Sequence, residues 1–157
     1  MPRGGGEISA ARGGSSTRKA RRLNSQPPDG PQYDPLYLAG IEHFNKCDFY
    51  ESHEVWEELW TDYQGPSRKF YQGLIQVAVA LHHFGNGNIR GAKKLYHSSR
   101  AYLQPYRPVY EGLDLEKLLA QFEACFTEVL ASTEEFPNIE IDPERIPEIH
   151  LDPPVES

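Results

Sequence analysis

Apolar residues recur through the middle of the chain at three- and four-residue spacing, the period of helices with one buried face. Pro35 stands where a first-turn proline belongs, with Leu36, Ala39, Gly40 and Phe44 following, so a first helix ends near Asn45. Asp48 is placed to cap a second helix, with Glu51 three residues on. That helix runs from Phe49 to about Asp62 and carries Phe49, Trp56, Leu59, Trp60 and Tyr63 on one face. Gly65-Pro66-Ser67 breaks it and starts a third, Arg68 to Phe84, apolar around most of its circumference and therefore central. The turn at 85–88 leads into a fourth helix, with Ala92, Leu95, Tyr96, Ser99, Tyr102 and Leu103 on one stripe, stopped by Pro105. A fifth, Asp114 to about Ser132, repeats Leu115, Leu118, Leu119, Phe122, Phe126 and Val129. Nothing alternates with period two and no repeat of fixed period stands out, so neither a sheet nor a solenoid is expected. The predicted fold is all-α, a compact bundle of about five mostly antiparallel helices.

The two ends break the pattern. Residues 1–30 hold six basic groups against two acidic ones and almost nothing apolar, which predicts a disordered basic arm. Residues 134–157 hold eight acidic groups against Arg145, with five prolines. They predict an extended acidic tail lying along the domain through Phe136, Ile139, Ile141 and Ile146. The helical domain is thus assigned to residues 31–133, whose net charge is −4. That acidic body argues against nucleic acid as a ligand, because neutralising phosphates needs clustered Lys and Arg.

No apolar run is long enough to span a bilayer, and Met1 to Asn24 has no apolar signal region. Cys47 and Cys125 form no C-x-x-C pair, which suits reduced, half-buried thiols in a cytoplasmic protein.

Candidate chemistry lies where polar residues fall on buried faces, since each must then find a partner. On a wheel with Phe49 at zero, Trp60 falls near 20°, His53 near about 40° and Glu57 near about 80°, while Glu54 and Glu58 point away. On the third helix, Gln72, Gln76, Val79 and His83 form a stripe of their own, His82 lies beside Ile75 and Ala78, and Gly73 with Ala80 leaves room for another backbone. The short Gly65-Pro66-Ser67 link makes the two helices antiparallel, so His53, Glu57, Gln76 and His83 are expected to meet. His and Glu at i, i+4 suit a metal ion held between facing helices, yet neither H-E-x-x-H nor Glu-x-x-His occurs. The structural reading, a closed hydrogen-bond network in which Glu57 accepts from His53 and Gln76, is therefore preferred.

Two blocks carry a family resemblance. Phe44-Asn45 followed by Phe49-Tyr50-Glu51-Ser52-His53-Glu54-Val55-Trp56-Glu57-Glu58-Leu59-Trp60 is similar to the signature of the domain of unknown function 309 family. So is Phe70-Tyr71-Gln72-Gly73-Leu74-Ile75-Gln76-Val77-Ala78, with His83, Gly87-Asn88 and Gly91-Ala92 beyond. The resemblance covers about residues 35–105 and implies a small all-helical domain of bacterial or plastid type. Its motif marks His53, Glu54, Glu57, Trp60, Gln72, Gly73, Gln76, His83, Asn88 and Gly91, and His82 stands where an aromatic is common. Members are sometimes catalogued as metal-dependent hydrolases.

The leading reading is an all-helical domain of unestablished biochemical function with a buried His/Glu/Gln site. One alternative is a metal-dependent hydrolase with His53, Glu57 and His83 holding a divalent transition metal and Glu54 or Gln76 orienting water or substrate. Another is a non-enzymatic scaffold for protein partners or for a second copy of the chain, with no role at a membrane.

Overall fold

The Asp34 side chain accepts from Leu36 N at 2.8 Å, and with Pro35 it sets the first helix, α1, Pro35–Asn45. In this computed structural model, which describes residues 32–154, there follow α2 (Phe49–Asp62), α3 (Arg68–Gly85) and α4 (Ile89–Leu103). A 3₁₀ turn, Gln104–Tyr106, leads to two short strands, β1 (Val109–Tyr110) and β2 (Leu113–Asp114). Then come α5 (Leu115–Cys125), α6 (Thr127–Ala131) and a 3₁₀ turn at Pro143–Arg145. The all-helical expectation holds, and the basic arm assigned to residues 1–30 lies outside the described residues.

Three local expectations need correction. The β1–β2 hairpin was not expected; its strands of two residues are too short to alternate visibly, and Glu111 and Gly112 turn it with φ of 47° and 76°. The fifth helix is two, because Phe126 ends α5 and begins α6. Asp48 makes no side-chain cap, and Cys47 beside it is exposed with φ 63°.

A repeat is present after all, at an offset of forty residues. The turn joining α1 to α2, Lys46-Cys47-Asp48, has φ of −92°, 63° and −87°. Its counterpart between α3 and α4, Asn86-Gly87-Asn88, has −93°, 82° and −86°. Asp48 N donates to His43 O at 2.9 Å as Asn88 N donates to His83 O at 2.8 Å. Buried positions match as well: Tyr37 with Val77, Gly40 with Ala80, Phe44 with Phe84, Ser52 with Ala92 and Trp56 with Tyr96. Apart from His43-Phe44 and His83-Phe84, shape and burial recur without side-chain identity, which conceals the repeat in the sequence.

The second hairpin packs on the first through α2 and α3, and α5 with α6 closes the far side. Tyr37 of α1 meets the rings of Phe70 and Tyr71, while Tyr96 of α4 stacks on Phe126 at 5.0 Å. Gly73 lets α4 come close, since a Cβ there would lie 2.7 Å from Leu103 Cδ2. Beyond α6 the chain is extended: Ile139, Ile141, Ile146 and Leu151 lean on the core and Ile149 is buried, whereas Phe136, expected to join them, is 75% exposed.

Candidate functional site

The three faces of α3 decide what the central polar residues do. Tyr71, Ile75, Ala78 and His82 share the side toward α2, where Tyr71 meets Tyr63 and His82 meets Tyr50 at 5.5 Å. Gly73, with Leu103 and Tyr102 against it, marks the side toward α4. Between these two sides lies the stripe of Gln72, Gln76, Val79 and His83, each half-buried. The stripe therefore floors a seam between α2 and α4.

On α2 the facing stripe is His53, Glu57 and Trp60. His53 Nε2 stands 3.9 Å from Glu57 Oε2, and His53 Nδ1 is 3.1 Å from Tyr50 O. Tyr50, 48% exposed, lies between the rings of His53 and His82, 5.3 and 5.5 Å away. Arg68 covers the Trp60 ring at 4.0 Å and its guanidinium donates to the carbonyls of Trp60 and Tyr63. Counting outward from the turn, Trp60 is level with Gln72, and Gln76 with Trp56.

The closed network expected here does not form. Trp60 Nε1 and Gln76 Oε1 are buried without a hydrogen-bond partner among the described residues. Each such atom costs about 1–3 kcal/mol, so the seam carries an uncompensated polar load. His82, not His83, faces α2, because it continues the Tyr71, Ile75, Ala78 row. His83 Nδ1 instead lies 3.4 Å from Asn88 Nδ2. Burial, and then the neighbouring charge of His82, hold the His83 pKa below its ordinary value. Asn88 also caps α4, accepting from Gly91 N at 3.1 Å. Glu54 is exposed on the outer side of α2.

A hydrolytic metal needs three converging protein donors and an open position. Among the described residues no group of three or more His, Cys, Asp or Glu is placed to hold an ion. His53 and Glu57 approach one another, whereas His83 turns to Asn88, so the set does not fit a metal in this geometry.

A second cluster carries no signal in the sequence. Glu111, in the β1–β2 turn, accepts from Ser67 Oγ at 2.7 Å and from Tyr71 Oη at 2.9 and 3.0 Å, and its carbonyl accepts from Tyr37 Oη at 2.9 Å. Ser67 Oγ is also 2.7 Å from Tyr110 Oη. Burial, reinforced by the Glu111 charge, raises the Tyr71 and Tyr37 phenols well above their usual range. The cluster is closed and ties the hairpin to the start of α3. Glu111 lies forty-four residues from Ser67, beyond reach of any local motif.

Paired helical hairpins with a polar seam across them define an all-α repeat-like domain. Residues 37–95 match the family described as domain of unknown function DUF309. The match spans α1, α2, α3 and the first half of α4, the part containing the seam. The chain is 34% identical over 62% of its length to the uncharacterized protein YpuF of Bacillus subtilis (strain 168), covering 58% of that protein. It is 32% identical over 58% of its length to an uncharacterized protein of Aquifex aeolicus (strain VF5), covering 26% of it. The chain thus spans little more than half of the first relative and about a quarter of the second. No biochemical function is established for the family.

Proposed function

We propose that the seam between α2 and α4, floored by α3, recognises an extended segment of a protein partner and that the domain is a non-enzymatic interaction scaffold. The observation that carries this reading is the pair of buried, unpartnered atoms, Trp60 Nε1 as donor and Gln76 Oε1 as acceptor. Once the Trp60 and Gln76 side chains turn outward to expose them, a peptide backbone offers the complement of both, a carbonyl and an N–H. Half-exposed Tyr50 adds aromatic area beside the same seam. The His53–Glu57 pair supports catalysis less well, since among the described residues no third His, Cys, Asp or Glu is placed to converge with it on an ion.

A random-peptide display screen against the full chain tests the proposal. Recovered peptides should bind about tenfold more weakly to Gln76→Met and to Trp60→Phe, the worth of one buried hydrogen bond. Both variants should stay folded, and Gln76→Met should melt no lower than the parent because an unpaired acceptor is gone. Recovery of no peptide, or binding indifferent to both substitutions, overturns the reading. A stoichiometric transition metal lost in His53→Ala would replace it with the hydrolase.

A further inference from the structure

The last described stretch of the chain is held as a peptide ligand is held. Asn45, at the end of α1, grips one residue by its backbone: its Nδ2 donates to Ile149 O and its Oδ1 accepts from Ile149 N, both at 2.8 Å. The Ile149 side chain is buried, 2% exposed, while Glu148 and His150 on either side face solvent. Glu148 N donates to Gln121 Oε1 of α5 at 3.3 Å. Further on, Asp152 N donates to Gly112 O at 2.9 Å, and Tyr33 Oη to Pro153 O at 3.0 Å.

Main-chain hydrogen bonds that any sequence could make, with pockets for alternate side chains, here Pro147 and Ile149, are the working parts of extended-peptide recognition. Residues 146–152 form no helix or strand and are held by the groove contacts above, by the 3₁₀ turn that Ile146 N closes on Pro143 O, and by Ile146 and Leu151 against the core. They reach it through a connection on which Phe136 is 75% exposed.

We propose that the groove formed by the end of α1, by α5 and by the β1–β2 turn is a peptide-binding site, filled here in cis by residues 146–153. The partner that takes it is an extended protein segment presenting a branched aliphatic residue between polar or acidic neighbours, the chemistry of Glu148-Ile149-His150. Tethering gives the strap an effective concentration on the millimolar scale, so a partner must outbind it or arrive with a second contact. The site shares no residue with the seam between α2 and α4, and its fate is independent of that reading.

The test uses the full chain with a protease site placed at Phe136–Asn138. After cleavage the two fragments should stay associated and folded, and excess synthetic peptide of residues 143–154 should displace the strap. The same peptide with Ile149→Asp should not, and Asn45→Ala should weaken association about tenfold, as expected for losing a paired amide contact. A nicked chain that unfolds as the strap leaves, by circular dichroism, makes the strap part of the core and overturns the proposal. A strap that no excess of peptide displaces overturns it too. In the uncut protein the Ile149 amide should exchange hydrogen far faster than amides of α3. Exchange only through global unfolding would be equally fatal.

Discussion

Gly40 shows how a single absent side chain sets an interhelical distance. A Cβ there would overlap the Trp56 indole, whose Nε1 donates to Tyr37 O at 3.1 Å, and Ser52 Oγ donates to the Gly40 carbonyl at 2.8 Å. Trp56 has no freedom to retreat, being fully buried. Gly40→Ala should therefore destabilise by about 1–3 kcal/mol, the range for overpacking a filled core, as read by denaturant unfolding. His83 gives the other residue-scale expectation. Its folded pKa lies below the ordinary value near 6.5, so the unfolded chain takes up a proton first as pH falls. The contribution is intact above about pH 6.5 and is lost below it, down to the depressed folded value. Melting temperatures between pH 7.5 and pH 5.5 should accordingly fall more steeply in the parent than in His83→Asn.

At the scale of elements, α3 dominates, with Leu74 and Leu81 each almost wholly buried. Leu74→Ala should cost about 2–5 kcal/mol, against about 0.5 kcal/mol or less for Glu58→Ala on the exposed side of α2. Equal melting shifts would contradict the assignment. This helix was plain in the sequence because its apolar run is long and its breakers, Gly65-Pro66 before and Gly85-Asn86-Gly87 after, are strong. The β1–β2 hairpin was not, since two-residue strands carry no period and Glu111 gains its meaning only from Tyr71 and Ser67. Glu111→Ala should cost about 1–3 kcal/mol by leaving those hydroxyls without an acceptor. Glu111→Gln, which still accepts, should cost less in the same unfolding measurement. The candidate site was half legible. Helical angles sorted Gln72, Gln76, Val79 and His83 onto one row of α3 and His82 with Ile75 and Ala78 onto another, but a wheel has no partner to fix its zero, so it could not tell that the Tyr71–His82 row is the one turned to α2.

For the whole molecule the forty-residue offset is the organising fact. It makes each half a control for the other. Cys47 adopts in the first turn the left-handed conformation that Gly87 adopts in the second. Left-handed backbone strains a residue with a Cβ, so Cys47→Gly should raise stability by about 0.5–1 kcal/mol, after the extra entropy of glycine in the unfolded chain is discounted. Gly87→Ala should lower it by about the same amount or more. Calorimetry on the pair decides whether the two turns are energetically as well as geometrically alike. Cys125 does not share in this: buried, its thiol is pushed up to about 12, and it serves as packing.

The strap at Ile149 is synthesised well after the helices that hold it. Helices α1 to α4 meet their neighbours soon after each is made, at roughly 5–20 residues per second, whereas Asn45 waits for a residue 104 positions downstream. The groove itself is complete only once α5 has been made, so about 24 further residues, roughly 1–5 s at that rate, separate its completion from the arrival of Ile149. A partner present at the ribosome would meet no competitor then, and the order of synthesis alone would favour it over the finished chain.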